Sequence, residues 1–148
     1  MFITQFSVED WIGNQNKGCV EPAHNWQEIE SAIKELDGHH KTLVTLETDS
    51  ETHMAVGGGQ GKYVVYLTFD NESFHYLVDP FKSDIEESVI VGGQEGFYPA
   101  KSCVDLNTTL KAAKTFAELG AIEKSVNWEK DEVVEQVEEI VLSAPLDR

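Results

Sequence analysis

Val89-Ile90-Val91 is a β-branched run that ends in the paired glycines Gly92 and Gly93; after Gln94 and Glu95 the chain re-emerges as the short aromatic segment Gly96-Phe97-Tyr98 and stops at Pro99. β-Branched side chains suit a pleated strand, adjacent glycines break it, and proline cannot continue a ladder. Cys103-Val104-Asp105 then leads into a run from Leu106 to Leu119 with helical spacing. The order is therefore strand, break, aromatic segment, stop and helix, which places this part of the chain in a mixed α and β architecture.

The remaining pattern extends that reading. Phe2, Phe6 and Val8 alternate with Ile3, Gln5 and Ser7, which predicts a first strand with one apolar face, and Trp11 to Ala23 reads as a long connection. Asn25 with Glu28 three residues later forms a capping-box pattern ahead of Ile29, Ala32, Ile33 and Leu36, and Gly38 is the expected stop. Thr42 to Glu47 and His53 to Gly57 predict a hairpin. Lys62 to Phe69, with Tyr63, Val65, Leu67 and Phe69 on one face, is the clearest strand, and Phe74 to Val78 follows it up to Pro80. Asp79 to Ser88 is expected to be an exposed acidic loop. Asp105 or Asn107 can cap the second helix, whose stripe is Leu106, Leu110, Ala113, Phe116 and Ala117, and Gly120 ends it. Val126 and Trp128 share one face of a short extended piece, and residues 130–148 read as a C-terminal helical extension. The expectation is an α+β fold in a single domain spanning 1–148: a mainly antiparallel sheet of about five or six strands with flanking helices on at most one face.

Charge decides which partners are plausible. The 148 residues carry 27 acidic against 11 basic side chains, a formal net of −16. Such a chain is repelled by nucleic-acid phosphates and anionic lipid, whereas a basic protein is steered toward it. Direct nucleic-acid or membrane binding is excluded on this ground, although an acidic surface that serves only solubility has the same composition. There is no apolar run of membrane length and no signal-peptide pattern at Met1, so the chain is expected to begin near Met1 and act in the cytoplasm. Cys19 and Cys103 lack zinc-type spacing and are expected as reduced, buried thiols.

No catalytic constellation emerges. Gly57-Gly58-Gly59-Gln60-Gly61-Lys62 resembles a phosphate loop only superficially, since Val56 stands where the first glycine belongs, Tyr63 where Ser or Thr belongs, and a strand follows; a glycine-rich hairpin is the reading. His24, His39, His40, His53 and His75 have no metal-ligand spacing, and no nucleophile motif occurs. Neither a catalytic residue, a metal nor a cofactor is nominated. Trp128 reads as a packing anchor closing the sheet and Glu129 as an exposed residue or a hydrogen-bond partner for the adjacent loop.

Gly92-Gly93-Gln94, Pro99, the helix from Leu106 and the pair Trp128-Glu129, taken in order, resemble the signature of a family of bacterial polymorphic-toxin immunity proteins associated with deaminase-superfamily toxins. The resemblance runs from His53 through Glu129, with Gly96-Phe97-Tyr98 departing from a more polar pattern. It implies a non-enzymatic binding protein that occludes the active site of a cognate toxin with a basic substrate groove. Loop residues on a rigid sheet are where binding groups tend to lie. The partner-binding residues expected are Asp84, Glu86, Glu87, Gly92, Gly93, Gln94 and Glu95, with Pro99, Trp128 and Glu129 as structural parts of the signature. The competing readings are a small-molecule enzyme and an acidic adaptor for some other basic protein. Oligomeric state is left open.

Overall fold

The computed structural model describes residues 1–131. Ten strands and two helices follow in the order β1 (Gln5–Ile12), β2 (Gln15–Asn16), β3 (Cys19–Pro22), α1 (Trp26–Lys34), β4 (Lys41–Glu47), β5 (His53–Gly59), β6 (Lys62–Thr68), β7 (Phe74–Val78), β8 (Glu86–Val91), β9 (Gln94–Pro99), α2 (Leu106–Leu119) and β10 (Asn127–Asp131). Eight strands form one sheet in the order β10-β7-β6-β5-β4-β1-β2, with β3 also on β1, and β8 with β9 makes a separate hairpin. Every pairing is antiparallel. The α+β class and the antiparallel sheet match the expectation, but about five or six strands was too few.

The extra strands come from polar sequence. Trp11 to Ala23 is not one long connection: β1 runs on to Ile12, turns at Gly13 and Asn14, and returns as β2 and β3 along the same edge. Asn16 holds that return, its Oδ1 accepting from the N–H of Asp10 and of Gly18, each at 2.9 Å. Apolar alternation is missing here because β3 is exposed at every position, so backbone pairing and side-chain caps, not burial, define it. Cys19 is consequently exposed, against the expected burial, whereas Cys103 is buried. Ile3, assigned to the mixed face, is buried, while Phe2 and Phe69 are exposed.

The helices form where the sequence pattern places them. The Asn25 side chain accepts from the Glu28 N–H at 3.1 Å and Glu28 accepts from the Asn25 N–H at 3.3 Å, so two free donors at the start of α1 are satisfied reciprocally. Asp105 caps α2 through the Thr108 N–H at 2.7 Å, and Gly120 ends it in the left-handed conformation. The helix α1 stops at Lys34, ahead of Gly38. Both helices cover the same face of the sheet. Trp26, Ile29, Ile33, Ala113 and Phe116 pack there against Val44, Leu46, Met54, Val56, Val65, Leu67 and Leu77 in one continuous core. Removing the wholly buried Phe116 ring would cost about 3–5 kcal/mol.

No helix among the described residues is long and apolar enough to cross a membrane. Lys130 and Asp131, expected in a C-terminal helix, belong to β10; the rest of that expected extension lies outside the described residues.

Candidate functional site

The Val89 to Pro99 stretch folds back on itself as the β8–β9 hairpin, in register from Val91 opposite Gln94 to Glu86 opposite Pro99. Gly92 and Gly93 are its two-residue turn, both with positive φ (60° and 79°), a geometry that matches strand twist and excludes most side chains. The hairpin lies across the sheet face opposite the helices. Its inner side chains include Val89, which is buried, and Val91, which sits on Gly57: a Cβ added there would approach Val91 Cγ1 to 2.5 Å. The turn is anchored as well. The Gly93 N–H donates to Thr42 Oγ1 at 2.9 Å, and a Cβ on Gly93 would meet the Trp11 ring at 2.7 Å. The Trp11 indole N–H in turn donates to Glu9 Oε1 at 2.7 Å.

At the other end Pro99 closes β9 and a short 3₁₀ turn, Ala100–Ser102, follows. The Ala100 N–H donates to the Ile85 carbonyl (2.8 Å), the Lys101 N–H to the Ser83 carbonyl (3.0 Å) and the Asp79 N–H to the Lys101 carbonyl (2.7 Å). The hairpin is thus held at its turn, its middle and its base.

Strand alternation separates the expected partner-binding carboxylates. Glu87 belongs to the inner side with Val89 and Val91 and pairs with Lys62 at 2.7 Å. The Lys62 hydrogen bond holds the Glu87 carboxyl below its ordinary range, and the same bond raises the Lys62 ammonium. Asp84 precedes β8 and lies 3.4 Å from Lys101 Nζ, which also binds Glu129 Oε2 at 3.0 Å. The hydrogen bond to Glu129, then that to Asp84, and the charges of both carboxylates raise the Lys101 ammonium. Glu86 and Glu95 are different: both are exposed on the outer face, with Ser88, Ile90 and Phe97 between them. Ser88 Oγ donates to Glu95 Oε2 at 2.5 Å.

The exposed acidic loop expected over Asp79 to Ser88 is therefore shorter, because Glu86 to Ser88 are already in β8. The glycine amides are not open for a partner either, since Gly93 bonds Thr42 Oγ1 and the Gly92 N–H faces the Thr42 carbonyl at 3.5 Å. Gln94 is exposed beside them. Sequence reasoning overlooked Phe97, an aromatic ring 65% exposed between the two outward carboxylates. Its signal was available: with Val89 and Val91 directed inward, the two-residue turn sends Phe97 outward.

Trp128 and Glu129 point to opposite faces of β10. The Trp128 ring packs against the core and its indole N–H donates to the Glu123 carbonyl at 2.9 Å. Glu129 reaches Lys101, so the pair joins the sheet edge to the hairpin base. The glycine-rich stretch Gly57 to Lys62 is the end of β5, a Gln60-Gly61 turn and the start of β6. Among the described residues no group of three His, Cys, Asp or Glu side chains is placed to share a metal ion. What the hairpin offers chemically is a rigid ledge with two outward carboxylates around an aromatic ring.

Comparison with known families matches residues 17–130 to the family described as Immunity protein Imm1. No curated protein matches the chain.

Proposed function

The chain belongs to the Imm1 family of immunity proteins, which act against bacterial toxins, and from that premise we propose that it neutralises a deaminase-superfamily toxin by seating the outer face of the β8–β9 hairpin in the mouth of the toxin's active site. A toxin that deaminates DNA or RNA needs a basic groove for its substrate's phosphates, and the base it attacks must be drawn into a pocket lined for stacking. The hairpin meets both requirements with Glu86 and Glu95 as phosphate surrogates and Phe97 as the ring between them. The observation that carries the reading is this placement of an exposed aromatic between two outward carboxylates on a ledge fixed at both ends. Asp84, Gln94 and the turn glycines border the contact. The action is steric and electrostatic, with no covalent change in either partner, and takes place in the cytoplasm, where the producing cell's own nucleic acid is at risk.

An equimolar mixture with a cognate deaminase toxin domain should lose nucleobase deamination. Undiminished deamination in the presence of excess folded protein would overturn the proposal.

A further inference from the structure

The hairpin covers one end of the sheet face opposite the helices, and beside it the β6–β7 part of that face is aromatic among the described residues. Alternation along β6 and β7 places Tyr66, Phe74 and Tyr76 side by side on this face, with ring centroids 5.4 Å (Tyr66 to Phe74), 6.3 Å (Tyr66 to Tyr76) and 6.5 Å (Phe74 to Tyr76) apart. The His53 ring lies 5.5 Å from Tyr66 and its Nε2 is 3.1 Å from the Tyr66 hydroxyl. Val91 and Tyr98 of the hairpin form a wall beside these rings, and a concavity of about 290 Å³ lies between wall and sheet, floored by Ala55 and Gly57. All three rings are half-buried by one another and by their strands, and among the described residues no helix packs over them.

The borders of this floor are acidic. The β7–β10 register puts Glu129 opposite Tyr76 and Asp131 opposite Phe74, and the β4–β5 register puts Glu47 opposite His53 on the other side. Lys101 pairs with Glu129 at that border. A half-buried aromatic floor bordered by carboxylates suits a guanidinium or ammonium group, because the ring faces attract the cation and the border carboxylates, Glu129 held by Lys101 and Asp131 by Tyr76, add negative potential around it.

We propose that this groove binds a lysine- or arginine-bearing segment of the same toxin, so that the toxin grips both sides of the hairpin: its active-site mouth on the outer face and a basic segment in the aromatic groove behind. The inference rests on the immunity reading above and adds a second contact to it. The hairpin wall is shared by the two contacts, which makes Val91 and Tyr98 part of one recognition surface with Glu86, Glu95 and Phe97.

The test places a positive charge in the groove of the full-length protein, as Tyr76→Arg and, because the loss of a ring can unfold a sheet, separately as Thr45→Lys at the groove's other side. The same cognate deaminase toxin domain is the probe, with melting temperature as the check on folding. Each folded variant should bind at least about 30-fold more weakly than the parent, since a desolvated like charge within an interface is strongly unfavourable. Binding within about threefold of the parent by the folded variants, while Glu86→Ser with Glu95→Ser weakens it, overturns the groove and leaves the hairpin reading intact; a parent protein that neither binds nor inhibits this toxin sinks both. Nitration with tetranitromethane supplies a second readout. At a pH high enough to ionise both phenols, which burial raises, Tyr66 and Tyr76 should react in the free protein and be protected in the complex, whereas protection that persists in the free chain at that pH overturns the proposal.

Discussion

Val91 rests on the bare Cα of Gly57, so close that a β-carbon there would lie 2.5 Å from Val91 Cγ1. This one contact sets how near the hairpin lies to the sheet. Gly57→Ala should force β8 outward and cost about 1–3 kcal/mol, read as a lower melting temperature, with weakened toxin binding. Adding Val91→Ala should recover part of the loss. A double-mutant cycle that shows no coupling between the two positions would place the hairpin's anchor elsewhere.

The outward and inward carboxylates should behave differently. Glu86→Ser with Glu95→Ser, and separately Phe97→Ala, should each weaken toxin binding at least about tenfold while leaving the melting temperature nearly unchanged. Glu87→Gln should do the reverse on a small scale: a slight loss of stability from its partly exposed pair with Lys62, and little change in affinity. Titration of the complex by calorimetry distinguishes them.

Association should depend on salt. With a formal charge of −16, a basic partner is drawn in over a range that screening shortens to about 8 Å at physiological ionic strength. The association rate measured by stopped flow should therefore fall as salt is added, with a smaller change in the dissociation rate. A rate that is flat in salt would mean the acidity serves solubility alone.

Glu123 predicts an acid-sensitive joint between α2 and the approach to β10. The Ser125 side chain, then the Thr115 hydroxyl at 2.6 Å and the Ser125 N–H at 2.9 Å, push its carboxyl from the ordinary 4.5 down to about 2. A carboxyl depressed on folding stabilises the native state fully above its unfolded value, and that contribution disappears as the pH falls toward the folded value. Glu123→Gln should therefore lower the melting temperature at neutral pH, and the gap from the parent should close between 4.5 and about 2. Thermal denaturation across that interval checks it; a gap that persists at the acid end would assign the effect to packing.

The sequence made legible those elements whose own side chains decide them. Lys62 to Thr68 alternates because one face is buried under the helices, and Asn25 with Glu28 spells out a cap within four residues. β2 and β3 escaped notice because their exposed side chains leave no apolar period to read. The hairpin was half visible: its glycine turn is local, but the reason for Gly57 is Val91, 34 positions away, and nothing near Gly57 announces it. Glu86 and Glu87 are indistinguishable in a list of acidic residues. Only the pairing partner, Lys62 for one and solvent for the other, tells them apart.

The hairpin is fastened from beneath and at both ends, through Val89, Val91, Thr42, Trp11 and the turn after Pro99, whereas Glu86, Ser88, Glu95 and Phe97 project outward. Exchanging surface side chains away from buried contacts shifts stability by about 0.5 kcal/mol or less. On the outer face, the proposed contact and the scaffold beneath it are therefore mutationally separable. A lineage locked in competition with a changing adversary can rewrite what this ledge says, one residue at a time, without ever passing through an unfolded ancestor.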